Sequence, residues 1–161
     1  MNTRRLTVAT TAALALTGCQ DPYRREAAPP TRTTSAHQDE APQQEAVVRA
    51  FASRWINWTW QMAGAQQRAL ARLATPELAR QLRANASSAR IDATLARDRP
   101  GSRGRVLIVR FESGGHALVL TRERSYTDGR PDLGGVRFGV YRLSAARIDG
   151  HWRIRQWVPQ Q

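Results

Sequence analysis

The hydrophobic pattern of this chain changes its period once, at Arg99-Pro100-Gly101. Before this tripeptide, apolar side chains recur every three or four residues, which is typical of amphipathic helices. After it, runs of β-branched and aromatic residues are separated by turns that contain glycine, which is typical of antiparallel strands. Because the helical segments come first and the strands second, the sequence predicts an α+β domain with N-terminal helices packed on a sheet.

Helical segments are predicted from Ala46 onward. One stripe of apolar side chains recurs at spacings of 3, 4, 3 and 4 residues: Val48, Phe51, Trp55, Trp58 and Met62. A second helical piece follows Gly64 and carries Leu70 and Leu73. Thr75-Pro76-Glu77 begins a third helix, because it places an N-cap residue, a proline and an acid where helix starts favour them.

Four strands are predicted after the change of period, joined by turns of distinctive composition. Gly114-Gly115 and Asp149-Gly150 are two-residue hairpin signals, because such turns need a positive φ that these residues tolerate. Residues 127–135 contain Asp128-Gly129 and Gly134-Gly135 and are predicted as a longer loop. The expected sheet is a curved, four-stranded antiparallel meander with strands at 105–112, 116–126, 136–148 and 151–158.

Residues 1–18 have the composition of an export signal. Arg4-Arg5 precedes an apolar stretch, 6–16, that is shorter than the roughly 20 residues a helix needs to span a bilayer. The stretch ends at Leu16-Thr17-Gly18-Cys19, which resembles the lipobox of bacterial lipoproteins. That resemblance implies cleavage before Cys19, acylation of its thiol, and attachment of the mature chain to the extracytoplasmic side of a membrane.

Residues 19–45 are predicted to be the lipidated cysteine followed by a disordered tether. Four prolines interrupt this segment, and 31–44 holds almost no apolar bulk. A segment of this composition cannot bury enough surface to offset the entropy lost on ordering. The chain is therefore expected to consist of a signal peptide at 1–18, a tether at 19–45 and one folded domain at 46–161.

The formal net charge is +12, and all 25 basic side chains are arginine. The folded domain carries 20 arginines against eight acids, so the excess of positive charge lies there. Such a bias either reflects the base composition of the gene or attracts lipid head groups, acidic polymers or nucleic acid. Export from the cytoplasm argues against nucleic acid as the partner. With one cysteine in the chain, an intramolecular disulfide and a cysteine-based metal site are both excluded.

Landmark residues occur in both halves of the folded domain. They are Phe51 and Trp55, the helix start Thr75-Pro76-Glu77-Leu78, and Tyr141 followed by Asp149-Gly150-His151-Trp152-Arg153-Ile154 and Trp157. This set resembles the nuclear-transport-factor-two-like domains, a cystatin-like cone found on many exported bacterial lipoproteins. The resemblance covers 46–161 and implies a cone-shaped α+β fold. Some members of that family assemble type IV secretion or conjugation machines and others are isomerases or dehydratases, so the fold alone does not choose a function.

No catalytic residue is predicted. The enzymes of this family place an acid or a His–Asp pair in the concave pocket, and the acids that qualify here are Asp92, Glu112, Glu123 and Asp128. General acid–base catalysis needs two groups whose pKa values are pushed apart in one site, and no such pairing is visible in the sequence. The three histidines lack a metal-ligand spacing, so neither a metal nor another cofactor is expected: His37, His116 and His151.

Six side chains are candidates for binding: Arg122, Arg124, Arg153, Arg155, Trp60 and Trp157. The arginines form two pairs, each on one face of a strand, because side chains alternate along a strand. A solvated polar face explains these pairs, and an acidic partner is the alternative explanation. The two tryptophans are the candidates for exposed aromatic contacts, whereas Trp55, Trp58 and Trp152 are expected in the core.

These observations predict a membrane-anchored, non-enzymatic lipoprotein. Its cone domain is expected to bind a partner or assist assembly in the cell envelope, in a secretion or conjugation complex, with an envelope protein or an acidic polymer as partner. The alternative is a small-molecule-binding protein, or an isomerase- or dehydratase-type enzyme, that uses the cone pocket. A dry pocket with a buried acid favours this alternative, and a pocket filled by Trp and Leu side chains favours the binding module.

Overall fold

Helices make up the first half of the folded domain. The structure, a computed structural model, describes residues 40–89 and 92–160. The helices in this part of the chain are α1 Glu40–Ile56, α2 Ala63–Ala71, α3 Pro76–Ala89 and α4 Ala93–Asp98. None of these described helices combines the length and the apolar character needed to cross a bilayer. The predicted signal peptide, Cys19 and most of the predicted tether lie outside the described residues.

The described residues form one antiparallel sheet of five strands in the order β1-β2-β3-β4-β5; β1 lies between α1 and α2 in sequence, and the other four strands follow the helices. The strands are β1 Trp58–Thr59, β2 Pro100–Phe111, β3 His116–Thr127, β4 Arg130–Ile148 and β5 His151–Gln160. The predicted α+β class is confirmed, but the predicted count of four strands is wrong. Trp58 and Thr59 add a short edge strand, which pairs with Ser102 and Gly101 of β2.

The first helix begins earlier than composition predicted. Helix α1 starts at Glu40, inside the segment expected to belong to the tether. Pro42 is compatible with this start, because the N–H groups of the first helical turn have no partner within the helix. The acid Glu40 also lies where the positive end of the helix dipole favours a negative charge.

The first helix also ends earlier than its apolar stripe predicted, at Ile56. The next residue, Asn57, pairs with the backbone of β2: its Oδ1 accepts from Gly104 N at 2.9 Å and its Nδ2 donates to Gly104 O at 3.1 Å. This contact directs the chain into β1. Trp58 therefore lies in a strand, and Met62 lies in a 3-10 turn with 55% of its surface exposed.

Tight hairpins join the long strands. Asp149-Gly150, with φ of 49° and 78°, joins β4 to β5 as predicted. Gly114-Gly115 lies between β2 and β3 as predicted, but the connection is not a two-residue turn: it spans residues 112–115 and contains a 3-10 turn at Ser113–Gly115. The predicted loop at 127–135 is only partly right: Asp128-Gly129, with φ of 50° and 76°, closes a further hairpin and β4 begins at Arg130, but residues 132–135 have no register partner on β3.

The concave face of the sheet packs against the helices around a single core. Phe51 on α1 is fully buried; its ring stacks on Trp55 at 6.2 Å between centroids and lies 5.3 Å from Trp157 of β5. The predicted stripe of α1 therefore does face the sheet up to Trp55. The rest of the core comes from helices and strands alike: Val48, Ala52, Leu70, Ala71, Ala74, Ala79, Leu82, Ala117, Val119, Leu143 and Ile154.

The start of α3 at Pro76 is confirmed, but Thr75 does not cap it with its side chain. Thr75 Oγ1 is buried and has no hydrogen-bond partner among the described groups. Its backbone N–H donates instead to Ile154 O at 2.8 Å, and Ile154 N–H donates to Leu73 O at 2.9 Å. These bonds lay residues 73–75 along β5 and cover part of that sheet edge.

Candidate functional site

The sheet has an outer face that the described helices leave open. Its side chains alternate with the buried ones along each strand, and cross-strand pairing aligns them in rows. The outer face consists of Arg103, Arg105, Ile108 and Arg110 on β2, Leu118, Leu120, Arg122 and Arg124 on β3, Val136, Phe138, Val140 and Arg142 on β4, and Val158 on β5.

Four arginines oppose each other across β2 and β3 on the outer face. Arg103 lies opposite Arg124, and Arg105 lies opposite Arg122. All four are exposed, and none forms an ion pair with an acid of the described residues. Like charges directly opposite each other on a sheet are destabilising. An anionic partner bound here would relieve that repulsion.

Apolar side chains lie next to these arginines. Phe138 pairs in register with Arg122 and is 66% exposed. Ile108 and Val140 flank Leu120 in the adjacent row and are 54% and 39% exposed. Contiguous exposed apolar side chains mark interaction sites, and aromatic residues and arginine are enriched in protein interfaces. The outer face therefore has the composition of a docking surface.

The other predicted arginine pair lies apart from this group, on β5. Arg153 is half-buried, and its Nη1 donates to the Arg72 carbonyl oxygen at 3.1 Å, which ties β5 to the end of α2. Arg155 is exposed. The structure thus places the predicted pair on β3 beside two arginines of β2 that the sequence analysis did not identify. The predicted pair on β5 lies away from this group.

The two candidate tryptophans lie in different surroundings. Trp60 is half-buried in the 3-10 turn, with the Arg99 guanidinium 6.0 Å from its ring centroid. The expectation of an exposed Trp157 is wrong: its ring lies 4.7 Å from that of Tyr141 and 5.9 Å from that of Trp55, inside the cone. A bulge in the β4–β5 pairing shifts the register by one residue and turns this tryptophan toward the helices.

A cavity of about 280 Å³ lies on the concave side of the sheet. Its lining includes Trp55 of α1, Trp58 of β1, Ser102 of β2, Glu123 of β3 and Tyr141 of β4. Glu123 is 4% exposed and is the one charged residue in the buried core of the described chain. The rings of Trp55, Tyr141 and Trp157 pack together beside this cavity. The cavity therefore contains the buried acid that the small-molecule alternative requires.

Two hydroxyl groups hold the same oxygen of the Glu123 carboxylate. Thr121 Oγ1 donates to Oε1 at 2.5 Å, and Tyr141 OH donates to it at 2.7 Å. Burial, and then the hydrogen bond to Glu123 and the charge of that carboxylate, raise the pKa of Tyr141 well above its ordinary value, while Arg137 opposes this shift. The phenol therefore stays protonated at neutral pH and remains a hydrogen-bond donor.

Two glycines leave room for the Glu123 side chain. A Cβ on Gly139 would lie 2.6 Å from Glu123 Oε1 and 2.8 Å from Thr121 Oγ1. Gly104 pairs with Glu123 across β2 and β3, and a Cβ there would lie 3.2 Å from the Glu123 Cα and against the Arg122 carbonyl oxygen. Gly104, opposite Glu123 on β2, and Gly139, opposite Thr121 on β4, thus leave a slot for the carboxylate.

The other acids that qualified as pocket residues lie outside this cavity. Glu112 and Asp128 form ion pairs with arginines at the surface, and Asp92 caps α4. His116 and His151 are exposed beside hairpin turns, and the third histidine lies outside the described residues. Among the residues that the structure describes, no group of three or more His, Cys, Asp or Glu side chains could hold a metal ion.

The fold is similar to that of several solved structures. The VirB8 protein of Agrobacterium tumefaciens aligns with a TM-score of 0.54 and 12% identity over 73% of this chain and 92% of that chain. The TraE protein in complex with 2-(2-furyl)isonicotinic acid aligns with a TM-score of 0.53 and 10% identity over 80% and 98%. TraH from the Gram-positive conjugative plasmid pIP501 aligns with a TM-score of 0.50 and 12% identity over 74% and 93%.

At these identities the likeness concerns the fold alone. No protein-family model and no curated protein sequence matches the chain.

Substitution of Gly139 by alanine is expected to lower the free energy of unfolding by about 1–3 kcal/mol, the usual cost of overpacking a core. The added methyl group would displace the Glu123 carboxylate from its slot. Gly134→Ala on the same strand is the matched control and is expected to be nearly neutral, because nothing would lie within 4 Å of a Cβ added there. The midpoints of urea unfolding measure the change in stability of both variants. Equal midpoints would contradict a tightly packed slot.

Proposed function

We propose that this chain is a lipid-anchored protein of the cell envelope and a non-enzymatic module of a secretion or conjugation complex. Acylated Cys19 holds it on the extracytoplasmic side of a membrane. The outer face of its cone domain docks on a partner protein whose surface is acidic around an apolar centre.

The outer face is the observation that carries this proposal. It combines two opposed arginine pairs with exposed Phe138, Ile108 and Val140. An acid in place of one arginine of each pair would convert repulsion into attraction and stabilise the isolated domain. The arrangement therefore suits a surface that is covered in an assembled state rather than one that remains in solvent.

The chemistry of the outer face defines the partner. A guanidinium group binds a carboxylate through two parallel hydrogen bonds, so clustered arginines favour a carboxylate-rich surface. Interfaces place a buried aromatic anchor near the centre, surrounded by polar contacts, and Phe138 beside Arg122 matches that arrangement. Complementary charge also steers the partner toward the face and fixes its orientation.

The fold likeness supports the setting of the proposal. TraH, which has this fold, comes from a conjugative plasmid, and VirB8 and TraE share the fold across nearly their whole solved chains. A cone fold hosts unrelated functions, so the likeness does not by itself select the partner.

Charge reversal on the outer face is expected to weaken binding of an acidic ligand. Arg122→Glu/Arg124→Glu should bind poly-L-glutamate at least about tenfold more weakly than wild type, since one hydrogen bond between charged groups contributes about 1.5–3 kcal/mol. The matched control is Arg80→Glu/Arg83→Glu on α3, which alters the net charge by the same amount at exposed positions of another element. It should retain most of the affinity in isothermal titration calorimetry.

The comparison between the two double variants separates a local surface from overall charge. Binding of poly-L-glutamate by both double variants should weaken as the salt concentration rises, because salt screens exposed charges. If both double variants lose the same affinity at each salt concentration, binding depends on net charge alone, and the outer face has no special role.

A further inference from the structure

We propose that the cavity on the concave side of the sheet binds a small organic cation that carries a primary ammonium group. This site is separate from the outer face and does not depend on docking there. The free oxygen of Glu123, an unpaired hydroxyl group and an aromatic wall together define the ligand.

The Glu123 carboxylate has one occupied oxygen and one free oxygen. Oε1 accepts hydrogen bonds from Thr121 and Tyr141, whereas Oε2 has no partner among the described groups. Arg137 lies directly opposite on β4 and lines the same cavity, but it is exposed and forms no ion pair with Glu123. A buried carboxylate is costly unless a cation or several donors compensate its charge. The described protein groups supply donors to only one of its two oxygens.

Ser102 lines the same cavity. Its residue surface is 6% exposed, and its Oγ is buried without a hydrogen-bond partner in the described part of the chain. Ser102 lies two residues from Gly104, the residue that pairs with Glu123, so both side chains are on the concave face. Buried polar atoms without a partner are rare and require an explanation, and a ligand donor would provide one.

A primary ammonium group matches the free carboxylate oxygen. It carries three N–H donors and no acceptor, so it can donate to Glu123 Oε2 and still has donors for other acceptors of the cavity lining. Its charge also compensates the buried carboxylate in a charge-assisted hydrogen bond. An anionic ligand would be repelled by Glu123 and Asp132, which both line the cavity, and attracted by Arg137 alone. A neutral alcohol would add no charge to offset that of Glu123.

The walls of the cavity favour a cation with an apolar body. Trp55 and Trp58 line it, and a cation near the face of a tryptophan ring is attracted by the electrons of that ring. The volume of about 280 Å³ lies just below the range of roughly 300–1,000 Å³ that is usual for ligand sites. The expected ligand is therefore a monoamine of modest size.

Titration of the purified full-length protein with three compounds of similar shape tests this site. The probes are 2-phenylethylamine, the neutral 2-phenylethanol and the anionic 3-phenylpropanoate, each followed by isothermal titration calorimetry. The amine should saturate one site and bind more tightly than the other two. Glu123→Gln should weaken binding of the amine by roughly 10- to 100-fold, because the substitution replaces a charged hydrogen bond by a neutral one. Glu112→Gln, the same change at a surface acid, should leave it unchanged.

Ser102→Ala keeps the test independent of folding. Its thermal midpoint should match or exceed that of wild type, since the substitution removes a buried hydroxyl that has no partner, while the affinity for the amine should fall. The proposal is overturned if the amine does not saturate a site, if the alcohol or the carboxylate binds as tightly, or if folded Glu123→Gln binds the amine like wild type.

Discussion

Truncation of Phe51 to alanine is expected to lower the free energy of unfolding by about 3–5 kcal/mol, the usual range for a large buried aromatic side chain. Phe51 is fully buried and contacts both Trp55 and Trp157, so its loss opens a cavity between α1 and β5. That loss is a large share of the ~5–15 kcal/mol that stabilises a typical domain. Guanidinium titration followed by tryptophan fluorescence measures it.

Arg155→Ala on β5 is the companion variant for this measurement. Its side chain is exposed, and surface substitutions of this kind change stability by less than about 0.5 kcal/mol. A Phe51→Ala variant as stable as Arg155→Ala would contradict the packing of α1 against the concave face of the sheet.

Cys19→Ser is expected to abolish fatty acylation completely. The chain contains one cysteine, so no other thiol can replace it. Metabolic labelling with an alkynyl fatty acid should mark the wild-type protein and leave the variant unlabelled. The variant should either remain unprocessed or leave the membrane fraction after cleavage, because an acyl chain contributes about 0.8 kcal/mol of membrane affinity for each buried CH₂ group.

A wash at high salt is essential to the fractionation. The net charge of +12 attracts the protein to anionic head groups, and this attraction is screened by salt whereas an acyl anchor is not. Cleaved Cys19→Ser that stays on washed membranes as firmly as wild type would contradict the lipid anchor.

Local signals predicted much of the fold. Gly114-Gly115 and Asp149-Gly150 specify their hairpins because tight turns need residues that tolerate a positive φ. The helix start at Pro76 could be predicted for a similar reason, because the fixed backbone angle of proline suits the first helical position. In each of these cases the residues that determine the structure are neighbours in sequence.

Errors arose where distant residues decide the structure. Residues 127–135 hold two turn signals, and only pairing of β3 with β4 selects Asp128-Gly129 as the hairpin. The apolar spacing continued the first helix past Ile56, but the hydrogen bonds between Asn57 and Gly104 end it. Neither of these pairings can be predicted from a local sequence pattern.

The candidate site was partly accessible from the sequence. Strand alternation put Arg122 and Arg124 on one face, and the same alternation put Glu123 on the opposite face, in line with buried Val119. Which β2 arginines oppose the β3 pair, and which hydroxyl groups reach the carboxylate, depend on strand register, which the sequence did not reveal.

The central claim, docking through the outer face in the envelope, is tested most directly by photo-crosslinking in the native host. A photoreactive phenylalanine analogue at Phe138 samples the outer face, and the same analogue at exposed Gln81 on α3 samples the helical side. We expect Phe138 to capture a component of a secretion or conjugation system, through an acidic surface, and Gln81 to capture none. Capture from Gln81 alone, or of the same proteins from both positions, would contradict the account.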